Sequence, residues 1–243
     1  MTNPVSPHPV EWTPEQVARF WDYYSSSQAL EDVYFAKMVG HTVLALVGKR
    51  IRIGEAIDIG CGRGDLIAEL LRVSTDVHGA DSSPGSVEGV NQRFAGTPGF
   101  RGATLMENGR IALDDSTVDT AFMLEVIEHM DDGTLRSALE EARRLLRRGG
   151  HLVLTTPNEE NLASHSVMCP ECGGIFHRIQ HVRSWSAASL KLFVEPLGFE
   201  VVYSTATVLT RHRGLKGRLH TAITKLRYPI HPNLVCIVRK VGN

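Results

Sequence analysis

The chain has 243 residues, with 26 basic and 27 acidic side chains and a formal net charge of −1. A chain of this length forms one domain, or one domain with an appendage, without a disulfide or metal scaffold. Its 42% hydrophobic and 22% charged residues exclude the collagen-like, fully disordered and disulfide-stapled classes. No apolar run approaches the ~18 residues of a spanning helix, and the first ten residues lack a signal peptide's apolar core, so we expect a cytoplasmic protein.

The small net charge conceals an uneven distribution. Residues 201–243 contain eight Lys and Arg but no Asp or Glu, whereas residues 1–200 carry 18 basic and 27 acidic side chains, a charge of −9. Residues 210–230 are predicted as a basic amphipathic segment, because one helix face would carry Leu215, Leu219, Ile223 and Leu226. Such a segment indicates contact with an anionic membrane or with RNA, or simply a solvated basic face.

In chain order, helices come first and then alternate with strands. Residues 1–53 are predicted to be helical, and Thr13-Pro14-Glu15 is a typical helix start. Short apolar runs predict strands at 55–59, 76–80, 118–124, 151–156, 199–209 and 234–241. Intervening patterns predict helices at 65–73, 84–94, 131–148 (ended by Gly149-Gly150) and 186–197. This alternation indicates parallel βαβ units and a doubly wound α/β sheet.

A glycine-rich turn follows the first predicted strand. Its sequence is Asp58-Ile59-Gly60-Cys61-Gly62-Arg63-Gly64. Such glycines allow a sharp turn and the close approach of a nucleotide-like ligand. The dinucleotide fingerprint requires a third glycine where this chain has Asp65, which argues against NAD or FAD. Asp81 follows the next strand, where a carboxylate accepts both hydroxyls of a ribose or caps the following helix.

These motifs resemble the opening motifs of the class I S-adenosylmethionine-dependent methyltransferases, and the resemblance covers roughly residues 54–200. It implies a Rossmann-like, mostly parallel seven-stranded sheet, with residues 1–53 as an N-terminal helical lid and 54–243 as the methyltransferase domain. It also implies S-adenosylmethionine as the cofactor, bound by Asp58, Gly60, Cys61, Gly62, Gly64, Asp81, Ser82, Glu107, Asn108, Leu124 and Glu125. Aromatic lid residues, Trp21, Tyr23 and Tyr24, are candidate walls of the acceptor pocket or plain core.

The segment Met123–His129 contains the sequence Glu-Val-Ile-Glu-His. Glu125, Glu128 and His129 converge on one side if the chain enters a helical turn there. Two carboxylates and an imidazole suit a divalent ion such as Mg²⁺ or Zn²⁺. Alternatively, His129 acts as a general base, or the turn is only structural. Glu128 and His129 are the candidate catalytic residues.

Two downstream stretches, 155–161 and 176–186, resemble the small-RNA 3′-terminal 2′-O-methyltransferases. By that resemblance the metal ligands are Glu125, Glu128, His129 and His181. Gln180 stands where those enzymes have Asp. The quinone-ring O-methyltransferases of ubiquinone synthesis share the Glu-Val-Ile-Glu-His sequence, so this sequence alone does not select RNA.

Residues 158–185 interrupt the strand–helix alternation and are predicted to form a Cys/His metal-binding loop insertion. Cys169-Pro-Glu-Cys172-Gly resembles half of a zinc ribbon. Zinc in a structural site takes four ligands, and the candidate set is His165, Cys169, Cys172 and His177. A redox pair or two unliganded thiols are the alternatives.

Together these features predict an S-adenosylmethionine-dependent methyltransferase. The leading expectation is O-methylation of a small-molecule or lipid-linked hydroxyl acceptor with divalent-metal assistance. The first alternative is RNA 3′-terminal 2′-O-methylation, supported by the basic tail. Peripheral membrane association would refine the leading expectation, and a non-catalytic cofactor-binding protein is the remaining alternative.

Overall fold

The structure is a computed structural model that describes residues 6–27, 34–210, 212, 214–227 and 232–242. Its strands are β1 (His8–Pro9), β2 (Ala56–Ile59), β3 (Val77–Asp81), β4 (Phe100–Glu107), β5 (Arg110–Ile111), β6 (Val118–Leu124), β7 (Leu146–Pro157), β8 (Ser166–Met168), β9 (Gly174–His177), β10 (Phe199–Thr207) and β11 (Asn233–Lys240). Its α-helices are α1 (Pro14–Ser26), α2 (Phe35–Val47), α3 (Asp65–Leu70), α4 (Pro84–Arg93), α5 (Asp132–Leu145), α6 (Ala187–Val194) and α7 (Gly214–Arg227).

Eight of these strands form the main sheet, in the order β10-β11-β7-β6-β2-β3-β4-β5. The five central strands are parallel to one another. Strands β5, β10 and β11 pair antiparallel with their neighbours. The predicted Rossmann-like, mostly parallel α/β sheet is therefore confirmed, and the two-residue β5 is added to the seven expected strands.

Helices cover both faces of the main sheet. On one face α5 and α6 bury Leu139 and Leu190, and on the other α2 and α3 bury Val43 and Ile67. Parallel strands end at the same edge of the sheet, so the connections after β2, β3, β4, β6 and β7 meet there. Ligands of open α/β sheets bind at this edge.

The hairpin between β4 and β5 is not among the predicted elements. Glu107 pairs with Arg110, and Asn108 and Gly109 form the turn with φ of +50° and +74°. Asn-Gly is typical of such two-residue hairpin turns, because both positions require a positive φ.

The predicted end of the fifth helix is wrong. The helix expected over 131–148 gives way to β7 at Leu146, which is already paired with β6. The Arg147 guanidinium lies 2.6 Å from the Glu55 carboxylate, which ties this stretch to the sheet. Gly149, with φ +73°, therefore lies within β7 and does not cap the helix.

The N-terminal segment contains the expected helices and one short strand. Thr13 caps α1, because its hydroxyl accepts from the Gln16 amide and the Gln16 side chain accepts from the Thr13 amide. Strands β1, β9 and β8 form a separate three-stranded sheet that ties this segment to the loop 158–185. Residues 1–5 and 28–33 of the predicted lid lie outside the described residues.

The basic tail forms α7, as predicted. The exposed fractions of Leu215, Leu219 and Ile223 are 81%, 64% and 52%. Three parts of the predicted segment, Arg211, Arg213 and 228–230, lie outside the described residues.

Among the described helices, none combines the length and the hydropathy that crossing a membrane requires.

Candidate functional site

The glycine-rich turn joins β2 to α3 at the carboxyl edge of the sheet. Gly60, Gly62 and Gly64 have φ of +80°, +48° and +77°, which favour glycine. A Cβ on Gly60 would lie 2.7 Å from Val126, in the connection between β6 and α5. The turn therefore packs directly against the segment that carries Glu125 and the other acids of the predicted metal site.

Asp81 ends β3, and the backbone holds its carboxylate in place. One oxygen accepts from the Gly62 amide at 2.8 Å and the other from the Ser83 amide at 2.9 Å. Burial raises the pKa of Asp81, and these two hydrogen bonds oppose that rise. The neighbouring Ser82 is exposed. The carboxylate is thus fixed between the glycine turn and α4, where the resemblance expects the ribose.

Asp58 lies in β2 just before the glycine turn, Cys61 lies within the turn, and both are buried. Burial and, to a smaller extent, the negative charge of Asp81 together raise the pKa of Asp58 to about 8. Burial also raises the pKa of the Cys61 thiol. Both side chains are therefore uncharged near neutral pH in the ligand-free protein, and the Asp58 carboxyl offers a donor as well as an acceptor.

The candidate adenine contacts, Glu107 and Asn108, lie at the hairpin between β4 and β5. Both are exposed. Leu105 pairs with Asp81, so Glu107 lies two residues further toward the same edge of the sheet. This register places the adenine candidates beside the ribose candidate.

Leu124 and Glu125 follow each other at the end of β6. Leu124 pairs with Thr155 of β7, and Glu125 has φ +54°. A Glu125 carboxylate oxygen accepts from the Thr155 hydroxyl at 2.8 Å. Burial raises the pKa of Glu125 to about 7 despite this hydrogen bond.

Glu128, His129 and His181 form a compact cluster, with one ligand-type atom from each lying within 4.8 Å of the others. Nε2 of His181 is 4.0 Å from Oε1 of Glu128. Glu128 is buried, yet neither of its carboxylate oxygens has a hydrogen-bond partner in the part of the chain that the structure describes. A buried carboxylate without partners needs a proton or a cation. The donor set, one carboxylate and two imidazoles, fits a divalent cation.

The structure brings together three of the four ligands that the resemblance implies. Glu125 is not in this cluster, because its carboxylate accepts a hydrogen bond from Thr155 of β7. The loop 158–185 brings His181 to the other two ligands: the Val182 amide donates to the Glu128 carbonyl at 2.9 Å.

Burial keeps this cluster uncharged. It raises the pKa of Glu128 well above its usual value, with a further rise from Glu125. Burial and, to a smaller extent, the neighbouring His181 together lower the pKa of His129 to about 3. Burial also lowers the pKa of His181. An imidazole with so low a pKa is a poor general base near neutral pH, whereas its free lone pair suits a metal ligand.

Helix α1 lies against both halves of the site. The ring centroids of Trp21 and His129 are 4.6 Å apart, and Trp21 Nε1 donates to the Gln180 side chain at 2.9 Å. Asp22 accepts from the Ser83 hydroxyl at 3.2 Å, next to the Asp81 turn. One helix therefore contacts the cofactor side and the His/Glu side together.

The aromatic residues of the lid differ in their placement. Tyr24 packs against Tyr34, with 5.9 Å between the ring centroids, whereas the Tyr23 side chain is 69% exposed. Tyr34 is absent from the predicted residues, yet a Cβ on Gly62 would lie 3.6 Å from its ring. Burial raises the pKa of Tyr34 to about 12.

The predicted four-ligand zinc set is not brought together. Among the described residues, neither Cys169 nor Cys172 belongs to any group of three or more metal-ligand side chains. The cysteines form the closed end of the β8–β9 hairpin, whereas His177 pairs with Ser166 at the open end, beside His165. Three residue pairs span about 10 Å, which is too far for one ion.

The turn that contains the two cysteines nevertheless lowers the pKa of one of them, Cys169. Backbone amides of Cys172 and Glu171 and the Cys172 thiol hold the pKa of Cys169 below its usual value. Cys169 is half-buried and Cys172 exposed, and neither forms a disulfide.

Glu160 is a further residue that the sequence patterns did not single out. One carboxylate oxygen lies 3.4 Å from Nε2 of His177, and the other is hydrogen-bonded to Nδ1 of His181. The signal that could have found it is its place just after β7, where side chains reach the carboxyl edge of the sheet.

The comparisons with known proteins agree with this geometry. A family model described as a methyltransferase domain matches residues 32–204. A 1,6-didemethyltoxoflavin-N1-methyltransferase of Burkholderia thailandensis, solved with S-adenosylhomocysteine, has a TM-score of 0.64 at 18% identity, covering 98% of this chain and 95% of that one. At that identity the likeness is one of fold.

Two relatives share more of the sequence. An uncharacterized 37.1 kDa protein in transposon TN4556 of Streptomyces fradiae is 38% identical over 115 residues, 46% of this chain and 32% of that protein. A ubiquinone biosynthesis O-methyltransferase of Alkalilimnicola ehrlichii is 28% identical over 163 residues, 63% of this chain and 61% of that protein. The chain thus spans less than two thirds of the length of either relative.

Proposed function

The chain belongs to the S-adenosylmethionine-dependent methyltransferases, and we propose that it transfers the methyl group to a hydroxyl oxygen of a small or lipid-linked acceptor. The observation that supports this acceptor class is the cluster of Glu128, His129 and His181 beside the glycine turn. A divalent ion held there would chelate two adjacent oxygens, as in a catechol or another vicinal diol. The relative named as a ubiquinone biosynthesis O-methyltransferase supports transfer to oxygen.

The glycine turn and Asp81 would bind the methionine and ribose parts of S-adenosylmethionine. Glu107 and Asn108 would meet the adenine. Leu124 and Glu125 would face the methyl group, since their segment packs against the turn through Val126. These roles follow the family's motifs, and the placement of the residues along one sheet edge supports them.

Glu128, His129 and His181 would hold the divalent ion, Mg²⁺ or Zn²⁺, which when bound lowers the pKa of an acceptor hydroxyl. The acceptor oxygen bonds to the methyl carbon as the carbon–sulfur bond breaks, which leaves S-adenosylhomocysteine. The hydroxyl proton, made acidic by the bound ion, would pass to solvent water, and Glu128 would act as an ion ligand that is ionised once the cation is bound. His129 would fix the geometry of the reacting groups.

A direct test uses the EDTA-treated protein with S-adenosylmethionine, Mg²⁺ or Zn²⁺, and 3,4-dihydroxybenzoate as a catechol probe. We expect mass spectrometry to show one added methyl group only when the divalent ion is present. Glu128→Gln should abolish the product, whereas Glu140→Gln, on the exposed face of α5, should not. An unmethylated catechol with methylated RNA in a parallel reaction would contradict the proposal.

RNA 3′-terminal 2′-O-methylation is the second candidate function. Two observations favour it: His181 lies beside Glu128, as the resemblance to those enzymes implies, and the last 43 residues carry eight positive charges and no acid. A terminal ribose also presents a vicinal diol. In the same assay, a short RNA with a free 3′ end should gain a methyl group that a 3′-blocked RNA does not.

We also propose that α7 contacts an anionic membrane surface. Leu215, Leu219 and Ile223 are all more than half exposed on one helix face, and the helix sequence also carries four Lys and Arg. Apolar side chains favour a lipid leaflet over RNA, since RNA offers them nowhere to insert. Contact with a membrane would bring a lipid-linked acceptor within reach of the site.

A further inference from the structure

His181 belongs to two overlapping groups of metal-ligand side chains. The inner group contains Glu128 and His129, and the outer group contains Glu160 and His177. A neutral imidazole has one bare nitrogen and one N–H, so His181 serves an ion in only one of these groups. The hydrogen bonds around Glu160 and His177 show which of the two groups His181 serves.

His177 has its Nδ1 occupied as an acceptor. The His181 backbone amide donates to it at 3.1 Å, and the Ile179 amide lies at 3.4 Å. The hydrogen of neutral His177 is therefore on Nε2, which lies 3.4 Å from a Glu160 oxygen. An Nε2 that carries hydrogen does not bind metal, so the outer group is not an ion site. Among the described residues this Nε2 forms no hydrogen bond, although it lies beside the Glu160 carboxylate.

The other Glu160 carboxylate oxygen is hydrogen-bonded to Nδ1 of His181. A carboxylate only accepts, so the His181 hydrogen lies on Nδ1 and the bare nitrogen is Nε2. That Nε2 lies 4.0 Å from Glu128. The rings of His177 and His181 are stacked, with centroids 4.4 Å apart and planes at 12°, which fixes the ring plane as well.

We infer that Glu160, supported by His177, is a positioning residue: it holds His181 in the tautomer and orientation that turn its bare Nε2 toward Glu128 and His129. This inference rests on the proposed function for its purpose, although not for its geometry. A carboxylate that orients a histidine ligand typically changes metal affinity about 10- to 100-fold when it is lost. Glu160 touches neither the cofactor turn nor, in this role, the ion.

The first test reads the tautomer without any metal. Long-range ¹H–¹⁵N spectra of ¹⁵N-histidine-labelled, EDTA-treated protein should show His181 with hydrogen on Nδ1 and His177 with hydrogen on Nε2. His181→Asn and His177→Asn assign the two signals. In Glu160→Gln we expect the His181 pattern to shift toward a tautomer mixture, whereas the adjacent, exposed Glu159→Gln should leave it unchanged. Hydrogen on Nε2 of His181 in the unsubstituted protein would overturn the inference.

The second test measures binding of Co²⁺ as a spectroscopic probe. We expect Glu160→Gln and His177→Phe each to weaken Co²⁺ binding at least about tenfold and to alter its visible spectrum, with Glu159→Gln as the control. Equal affinity and spectrum in all variants would overturn the inference. The rise in melting temperature with S-adenosylhomocysteine should persist throughout. If the unsubstituted protein showed no such rise in melting temperature, the proposed function would be contradicted. The positioning role of Glu160 would then be tested by the tautomer measurement alone.

Discussion

Single buried groups account for the chemistry of this chain more than its overall composition does. Asp58, Asp81, Glu125 and Glu128 are carboxyl groups whose pKa values burial raises. Only Asp81 has two backbone amides that favour its ionised form. The cofactor side thus contains a fixed carboxylate, while the His/Glu side gains a charge only when a cation arrives.

Asp58 makes stability depend on pH. Its pKa is 3.8 in the unfolded reference and about 8 when folded, so the folded state holds a proton that the unfolded state releases between these values. Stability is therefore greatest at the acid end of this window and falls as pH rises, by at most about 1.4 kcal/mol per pH unit. Compared with Asp58→Asn, the unsubstituted ligand-free protein should show a steeper decline in urea-unfolding free energy between about pH 5.5 and 7.5. Parallel curves for the two proteins would contradict this.

Asp81 should control cofactor binding without controlling the fold. Asp81→Ala removes the carboxylate at the expected ribose position, so we expect the rise in melting temperature with S-adenosylhomocysteine to disappear. Asp114→Ala, which removes an exposed carboxylate elsewhere, is the matched control and should retain the rise. Equal shifts in the two variants would place the ribose elsewhere.

At the scale of elements, apolar runs in the sequence are sufficient to predict the strands that are buried on both faces of the sheet. β2, β6 and β11 are mostly apolar, and the buried part of β7 contains the apolar run 152–154. The sequence does not predict β4, because Arg101 and Gly102 interrupt its apolar pattern and most of the strand is only partly buried. The sequence predicts the wrong end for α5, because Gly149-Gly150 is typical of a helix end. In the structure the pairing of β7 with β6 ends the helix earlier and makes this stretch a strand.

Helix α1 should close over the site through one hydrogen bond and one ring contact. Trp21→Phe would remove the donor to Gln180 and leave a buried amide oxygen unpaired, at a cost of about 1 kcal/mol. We expect hydrogen exchange of α1 amides to accelerate about fivefold, with the central strands unaffected. Tyr23→Phe, at an exposed position of the same helix, should have little effect.

Helix α7 should bind vesicles through its exposed leucines. Leu215→Ser with Leu219→Ser should reduce co-sedimentation with phosphatidylglycerol vesicles at least about tenfold, since each buried leucine contributes about 1.5–3 kcal/mol. Leu192→Ser, an equally exposed leucine on α6, is the control. Because these side chains are exposed, unfolding free energies should change little. Equal binding of the double variant, or equal binding to neutral phosphatidylcholine vesicles, would remove α7 as the docking element.

At the scale of the whole molecule, the sheet edge unites motifs that lie far apart in sequence. The sequence predicted the glycine turn, Asp81 and the Glu128–His129 pair, because each is a local pattern. Local spacing did not predict that His177 turns toward Glu160 and away from the cysteines, since the hairpin register decides which end of β9 it occupies. The zinc set failed for this reason, and Glu160 was missed because only the folded loop gives it partners.

The central claim is that a methyl group passes from S-adenosylmethionine to an oxygen atom at this edge. The most direct measurement supplies ¹³C-methyl-labelled S-adenosylmethionine, the protein and a divalent ion to a lipid and small-molecule extract, and records the ¹³C spectrum of the products. The account predicts methoxy carbon signals that vanish when EDTA is added. Label found only on nitrogen or carbon, or none transferred by a protein that binds S-adenosylhomocysteine, would contradict it.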